Sequence, residues 1–241
     1  MTVAPADERR HDEAGAETWT FDVADPASGL GVVVRLAFRP AERVAWWWAA
    51  AVGCGPPLVA LRAHDVPIPA RGTEVRTDGL WASLQCETPL EHWSVGAECF
   101  AVAYDDPWEA LAGERGDLVP FGLDLEWEAE GAATARPDGA GYGQWCTVTG
   151  EILLGDDRID VTAGGHREHA WGAAADLSRD VRVRTGDGRR VWSGDLAQQI
   201  DLPVAPLAAC PFAVPGRPWV ESLCRVPGGG GGWVGADYAR S

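Results

Sequence analysis

Apolar and polar residues alternate along long stretches of this chain, which is the pattern of β-strands that bury one face. Residues 32–38 and residues 80–86 each place apolar side chains at every second position. The clearest stretch is 121–127, where phenylalanine, leucine and tryptophan share one face and carboxylates lie on the other. No stretch of helical length shows a strong 3.6-residue period. The pattern therefore predicts an antiparallel, almost wholly β fold.

Shorter signals extend this prediction to the rest of the chain. Further strands are predicted at 93–104, at 144–154 and at 159–162. Two hairpins are predicted, one joining 181–185 to 190–193 across the turn 186–188, and one joining 219–226 to 233–238 across five glycines. Residues 45–52 are apolar throughout, so periodicity leaves a helical turn and a buried strand open, and their bulk favours the strand.

Strands with one apolar face must bury those faces together, and at this length the solutions are a closed barrel or a sandwich. A barrel of about eight strands encloses a cavity for one small ligand, so cavity binding is the first functional hypothesis. Residues 1–16 are polar and poor in apolar side chains, and we predict a disordered tail there.

Composition excludes several classes of function. The 241-residue chain has a formal net charge of −16 and a pI near 4.6, so it repels phosphate backbones and we predict no nucleic-acid partner. All 20 basic residues are arginine, which excludes lysine Schiff-base and P-loop chemistry. The six cysteines form no CxxC pair, and neither a signal peptide nor a membrane span is recognised. We predict a cytoplasmic protein with reduced thiols and no membrane span.

The densest polar cluster is the segment GGHREHAWG at residues 164–172. In a strand, Arg167, His169 and Trp171 lie on one face, so a cation, an imidazole and an indole share one surface. Such a trio can hold an anion or an enolate, move a proton and stack on an unsaturated substrate. The alternative is a surface turn in which Arg167 and Glu168 are solvated and Trp171 fills the core, and spacing leaves both open.

Other acids and histidines lie beside tryptophans. His92 precedes Trp93, and Asp124 and Glu126 precede Trp127. A carboxyl buried beside an indole has a raised pKa and can act as a general acid, whereas a solvated outer face is the structural alternative. The histidines lie in no ligand spacing that one strand face would use, and we predict no metal.

Five motifs in order resemble a known superfamily. They are TDGLW at 77–81, PLEHWSVG at 89–96, GLDLEWE at 122–128, YGQWCTVTGEI at 142–152 and GGHREHAWG at 164–172. Together they resemble the lipocalin-like superfamily of hydroxyneurosporene synthase (carotenoid hydratase) and the AttH-like proteins, in particular an actinobacterial branch with an Arg-(Asp/Glu)-His-x-Trp-Gly signature. The resemblance covers about residues 17–172, and the ending GWVG at 232–235 resembles the superfamily's terminal strand.

The resemblance implies two β-barrel-like halves side by side, with the signature at their junction and an elongated apolar cavity. It divides this chain into an N-terminal lipocalin-like β domain at 17–155 and a shortened C-terminal β half at 156–241. Superfamily members act without organic cofactors on unsaturated lipophilic substrates, by hydration, cyclisation or Diels–Alder chemistry. The signature maps to Arg167, Glu168, His169, Trp171 and Gly172, with Glu168 where aspartate is commoner.

We therefore predict a cofactor-independent cyclase or isomerase, with a pericyclase included, acting on an apolar polyketide or terpenoid in natural-product biosynthesis. The alternatives are a hydratase and a non-catalytic carrier of a small lipophilic ligand, and the oligomeric state stays open. The candidate catalytic residues are Arg167, His169, Glu168, Asp124 and Glu126. The candidate substrate-binding residues are Trp81, His92, Trp93, Trp127, Tyr142, Gln144, Trp145 and Trp171, and one cavity is predicted to be lined chiefly by the five tryptophans Trp81, Trp93, Trp127, Trp145 and Trp171.

Overall fold

The computed structural model describes residues 2–113, 116–175, 180–192 and 203–238. Within these ranges every strand pairing is antiparallel, and helical structure is limited to 3₁₀ turns at Pro5–Glu8, Pro107–Leu111 and Gly172–Ala175. About 65% of the described residues lie in strands, so the predicted all-β fold is confirmed. No helix in these ranges is long and apolar enough to cross a membrane.

The first eleven strands form one sheet that closes on itself. Their bounds are β1 Glu17–Asp25, β2 Leu30–Arg39, β3 Val44–Val52, β4 Leu58–Val66, β5 Val75–Thr77, β6 Leu80–Thr88, β7 His92–Tyr104, β8 Asp117–Ala129, β9 Thr134–Ala135, β10 Gly141–Leu154 and β11 Asp157–Trp171. The order β4-β3-β2-β1-β11-β10-β8-β7 is closed by pairing of β4 with β7, while β5, β6 and β9 lie beside this ring. Residues 45–52 lie within strand β3, as their bulk suggested.

Alternation along the strands fills the interior of this barrel. Phe21, Leu36, Trp47 and Trp127 are buried inside it, and the inward residues of β8 are the apolar half of the 121–127 pattern. Because successive side chains of a strand point to opposite faces, the acidic half of that pattern lies on the outer surface. The barrel is therefore a packed core.

The remaining strands form a second sheet, with bounds β12 Asp180–Thr185, β13 Arg190–Trp192, β14 Ala205–Val214, β15 Arg217–Arg225 and β16 Gly230–Asp237. Its order is β13-β12-β16-β15-β14, so both predicted hairpins are paired, with residue 193 of the first lying outside the described residues. The sheet packs on the outside of the barrel, where Phe212, Trp219 and Trp233 meet Val33 and Trp48.

The division between the two sheets differs from the predicted boundary at residue 155. Strand β11 pairs with both β1 and β10, so the chain leaves the barrel after Trp171. Residues 155 and 156 form the tight turn between β10 and β11, and a turn signal in the sequence does not distinguish a hairpin from a domain boundary.

A buried ionic layer joins the barrel to the second sheet. Asp22 on the outer face of β1 lies 3.3 Å from the guanidinium of Arg182 in β12, which also contacts Glu221 at 2.6 Å and Asp180 at 3.2 Å. Burial raises the pKa of Asp22 from 3.8 to about 7, against the opposing effect of Arg182. The second sheet is therefore fixed to the barrel partly through Asp22, a buried carboxyl whose pKa is about 7.

Substituting Asp22→Asn should change how stability depends on pH. Between the ordinary pKa of 3.8 and the folded value of about 7, the folded protein holds one more proton at Asp22 than the unfolded chain does. Ionising Asp22 therefore costs stability as the pH rises through this window, by up to about 1.4 kcal/mol per pH unit. We expect Asp22→Asn to gain stability relative to wild type between about pH 5 and about pH 7, measured by urea unfolding, with little further change above pH 8.

The exposed substitution Asp160→Asn in β11 is the matched control, since the side chain of Asp160 is 83% exposed. A stability difference between Asp22→Asn and wild type that stayed constant across this range would contradict the prediction.

Candidate functional site

The two faces of strand β11 separate the residues of the GGHREHAWG segment. Arg167 and His169 pair in register with Phe21 and Trp19, whose side chains belong to the barrel interior. His166 and Glu168 alternate with them and face the second sheet. Arg167 and His169 therefore point into the same end of the barrel.

A carboxylate from the start of the chain binds Arg167. Arg167 donates from Nη2 to Glu8 Oε1 at 2.7 Å and from Nη1 to Oε2 at 3.2 Å. The backbone N–H of Leu90 donates to Oε1 at 2.7 Å, while Trp93 Nε1, at 3.1 Å, and the Tyr142 hydroxyl donate to Oε2. Both oxygens of the Glu8 carboxylate are thus held by N–H and O–H groups of the barrel.

The electrostatics of this pair favour two charges in spite of burial. The side chains of Arg167 and Glu8 are 3% and 2% exposed. Burial opposes ionisation of Glu8, but the charge of Arg167 and the hydrogen bonds from Arg167 and Tyr142 outweigh it, and the pKa of Glu8 is lowered. Gln144 completes the cluster by accepting from Arg167 Nη2 and donating to the carbonyls of Leu90 and Gly131.

The segment that carries Glu8 was predicted to be a disordered tail, and the structure differs. Pro5–Glu8 forms a 3₁₀ turn that places Glu8 in the barrel end. The prediction rested on the low apolar content of this segment. The segment does bury little, since Glu8 is the one buried residue between residues 2 and 16. Composition does not reveal that a single acid complements an arginine 159 positions away.

His169 forms a second pair in the same barrel end. Its Nε2 lies 2.7 Å from Glu17 Oε1, its ring stacks on Trp19 with centroids 4.7 Å apart, and its side chain is 1% exposed. Burial lowers the pKa of His169 more than Glu17 raises it. Burial opposes ionisation of Glu17 as well, but the hydrogen bonds and charge interactions of His169 and His11 together outweigh it, and the pKa of Glu17 is lowered.

These shifts assign the hydrogen atoms of the pair. With Glu17 ionised and His169 neutral, Nε2 carries the proton and donates to Glu17, and Nδ1 has a free lone pair. Nδ1 is buried and has no hydrogen-bond partner within the described ranges. A carboxylate-oriented imidazole with its second nitrogen free is the arrangement of a general base.

Glu17 also binds a second histidine, His11. Together with His169, these residues are the groups of this site that could bind a metal ion. His11 Nδ1 lies 2.9 Å from Glu17 Oε1, and donor atoms of His11, Glu17 and His169 lie within 4.8 Å of one another. Two imidazoles and a carboxylate are a zinc-type donor set. Metal-bound histidines, however, nearly always donate their other ring N–H to a partner, which His169 lacks here. The contacts therefore favour proton exchange, and the absence of a functional metal stays a prediction.

The Arg167 and His169 groups adjoin one another and form what we call the barrel-end site. The Tyr142 ring lies edge-on to His169 with centroids 5.7 Å apart, and Trp171 stacks on His11 at 3.9 Å. The site brings together the predicted residues Arg167, His169, Trp93, Tyr142, Gln144 and Trp171. It adds Glu8, His11 and Glu17, which sequence reasoning missed.

The predicted acids do not join this site. Glu168 faces outward, where Arg136 donates to it at 2.6 Å, and burial raises its pKa. Asp124 is exposed on the outer face of β8, and Glu126 hydrogen-bonds there to the half-exposed His92. Asp124, Glu126 and His92 thus lie outside the barrel, because the alternation that buries Leu123 and Leu125 turns the acids outward.

The five tryptophans do not line one cavity either. Trp93 and Trp127 are buried in the barrel, where Trp127 Nε1 donates to the carbonyl of Asp22 at 3.1 Å. Trp145 lies on the outer face against His166, at 4.8 Å between centroids. Trp81 lines a separate surface groove of about 550 Å³. The strand faces on which these indoles lie are fixed by register, which sequence order does not show.

The closed barrel with a second sheet against its wall is a lipocalin-like fold. A solved AttH protein from Nitrosomonas europaea is similar to this chain with a TM-score of 0.60 at 13% identity, over 100% of this chain and 98% of that chain. Kievitone hydratase from Nectria haematococca is similar with a TM-score of 0.50 at 9% identity, over 99% and 93%. At these identities the likeness concerns the fold.

The chain belongs to the family described as a domain of unknown function, DUF7064, whose model matches residues 4–184. The match includes Glu8 and the whole barrel, so the N-terminal segment is part of the family domain. The sequence search of curated proteins finds no match.

Proposed function

We propose that this protein is a cofactor-independent isomerase or cyclase that performs acid–base chemistry on a lipophilic, unsaturated substrate bearing an oxygen group. The observation that carries the proposal is the Glu17–His169 pair, with its free and buried Nδ1, beside the hydrogen-bond donors of Arg167 and Tyr142. A polyketide or terpenoid intermediate of natural-product biosynthesis is the substrate class that the superfamily resemblance favours.

In the proposed reaction Arg167 and Tyr142 hold a carbonyl oxygen of the substrate. His169 Nδ1 removes a proton from the adjacent carbon, and the resulting enolate charge is stabilised by the Arg167 guanidinium. Glu17 stabilises the imidazolium that forms on His169. After exchange with solvent, the His169 imidazolium returns a proton to another carbon, which completes an isomerisation. Alternatively, the enolate attacks a second electrophilic carbon of the substrate and closes a ring, and the imidazolium then protonates the anion formed on that electrophile. Neither step consumes water or a cofactor.

The hydratase alternative draws support from the fold shared with kievitone hydratase. Hydrating an alkene by protonation requires a carboxylic acid of raised pKa facing the substrate. Among the described residues, the acids with raised pKa are Asp22 and Glu168, and both face away from the barrel interior, whereas the pKa values of Glu8 and Glu17 are lowered. This distribution favours an imidazole base in the barrel-end site over a carboxylic acid.

The test is to incubate the protein with lipophilic enones in D₂O, beside a protein-free control, and to follow substrate mass. An isomerase incorporates single deuterium atoms at carbon, a hydratase adds the mass of one D₂O, and a carrier changes nothing. We expect deuterium incorporation, and we expect His169→Gln to slow it by roughly 100- to 10,000-fold with little change in Tm. His92→Gln, on the outer face, is the matched control and should retain the wild-type rate. Equal rates in both variants would contradict the role of His169.

A further inference from the structure

The donors around Glu8 constitute a binding site for a carboxylate, whatever molecule supplies it. We propose that the ligand of the barrel-end site is an organic acid with an apolar body, and that the N-terminal segment occupies the site in its absence through Glu8. The inference deepens the proposed function, on which it rests for the location of the substrate, and it adds a carboxylate-bearing substrate class and an autoinhibitory segment.

The geometry is that of a planar receptor. The two Nη atoms of Arg167 donate hydrogen bonds to different oxygens of the Glu8 carboxylate, which is the bidentate geometry that a guanidinium forms with any carboxylate. Leu90 N–H supplies a second donor to one oxygen, and Trp93 and Tyr142 supply two more to the other. An alcohol or a simple amide would leave several of these buried donors without an acceptor, which is unfavourable. The receptor is therefore selective for a pair of anionic oxygens, as in a carboxylate or the enolate of a 1,3-dicarbonyl.

The segment that fills this receptor has few other anchors. Glu8 is the one buried residue between residues 2 and 16, and the other contacts of this segment are polar or aromatic and come from partly exposed residues. Arg10 donates to the carbonyl of Pro69 at 2.7 Å, and His11 contacts Glu17. Segments with little buried apolar area open at low free energy. Exchanging Glu8 for the carboxylate of a ligand also leaves the charge pairing of Arg167 unchanged.

The surfaces beneath the segment indicate the rest of the ligand. The Arg10 guanidinium lies 4.7 Å from the centroid of the Phe38 ring, and His11 stacks on Trp171 at 3.9 Å. When the segment leaves, Phe38 and Trp171 lose their contacts with Arg10 and His11. An apolar or unsaturated group attached to the ligand carboxylate can then pack on these two rings. A ligand of this kind therefore gains contacts that a small anion such as acetate does not.

The experiment compares octanoate with octanamide, which has the same chain without the charge. We expect octanoate, and not octanamide, to accelerate trypsin cleavage of the wild-type protein after Arg9 and Arg10, located by mass spectrometry. We expect Glu8→Ala to bind octanoate with a Kd at least about tenfold lower than wild type, by calorimetry, because the competing carboxylate is gone. Glu13→Ala, an exposed acid of the same segment, is the matched control and should bind octanoate as the wild type does.

Several outcomes would overturn the inference. Equal binding of octanoate and octanamide would indicate an apolar surface site such as the Trp81 groove, and octanoate binding without faster cleavage would place the ligand elsewhere. If Glu8→Ala does not fold, the wild-type cleavage experiment decides. If octanoate binds but the protein catalyses no deuterium exchange, the carboxylate site is supported and the proposed enzyme activity is rejected. If the protein catalyses exchange on uncharged enones but does not bind octanoate, the enzyme activity is supported and the carboxylate site is rejected.

Discussion

Replacing Arg182 by methionine is expected to destabilise the protein by about 3–5 kcal/mol, because removing one partner of a buried ionic group leaves the others uncompensated. The side chain of Arg182 is 1% exposed and faces Asp22, Asp180 and Glu221. Methionine fills much of the same volume but leaves these carboxylates without their cation. The measurement is urea unfolding of the variant and the wild type at neutral pH.

The loss should depend on pH with a definite sign. Without Arg182, the pKa of Asp22 in the folded state rises beyond about 7, because burial and the neighbouring carboxylates both raise it. A group whose folded pKa is raised weakens stability as the pH rises above its unfolded pKa. Arg182→Met should therefore lose more stability at about pH 8 than at about pH 5.

The control is Arg158→Met on the barrel surface. Arg158 also contacts two carboxylates, Glu151 and Asp160, but its side chain is 66% exposed. Exposed pairs of this kind contribute about 0–1 kcal/mol. If the two variants lost the same stability, the ionic layer would not be what fixes the second sheet to the barrel.

Glu8→Ala and Arg167→Met, which remove opposite halves of one ion pair, are expected to have unequal effects. Arg167 lies on central strand β11 and cannot leave the barrel, so Glu8→Ala leaves a buried cation and should cost about 3–5 kcal/mol. Glu8 lies on a segment with no other buried residue, so Arg167→Met lets the carboxylate move into water. We expect a smaller loss of stability in Arg167→Met, with faster trypsin cleavage after Arg9.

The double variant Glu8→Ala/Arg167→Met separates this pair from its surroundings. It should be more stable than Glu8→Ala, since the uncompensated cation is gone, and the double-mutant cycle gives the coupling free energy of the pair. Added acetate should raise the Tm of Glu8→Ala and not that of the double variant. A larger loss in Arg167→Met than in Glu8→Ala would mean that the N-terminal segment is rigidly fixed, against the proposed displacement by a ligand.

One strand serves both halves of this structure. The inward residues of β11, Arg167 and His169, belong to the barrel-end site. Its outward residues face the second sheet, where His166 lies buried between Trp145 and Trp192 and burial lowers its pKa. The segment that resembles a superfamily signature thus combines a candidate reaction site with an interface between sheets, because a strand places consecutive side chains on opposite faces.

Local pattern determined most of the strands of this protein. Period-two alternation marked 32–38, 80–86 and 121–127, and all three stretches lie within strands, β2, β6 and β8. The spacing of Arg167 and His169 likewise fixed that they share a face once β11 is a strand. These features depend on residues close in sequence, where backbone geometry leaves little choice.

Features that depend on distant residues were decided by the tertiary structure. The sequence did not show that Glu8 would meet Arg167, or that β11 would close the barrel between β1 and β10. The alternation set Asp124 and Glu126 opposite Trp127, but it did not show that Trp93 would lie in the barrel-end site and Trp81 in a surface groove. Strand register and barrel closure bring together positions more than a hundred residues apart in the chain. The pairing of the strands decides which face a carboxylate lies on, and therefore whether it belongs to the site or to the surface.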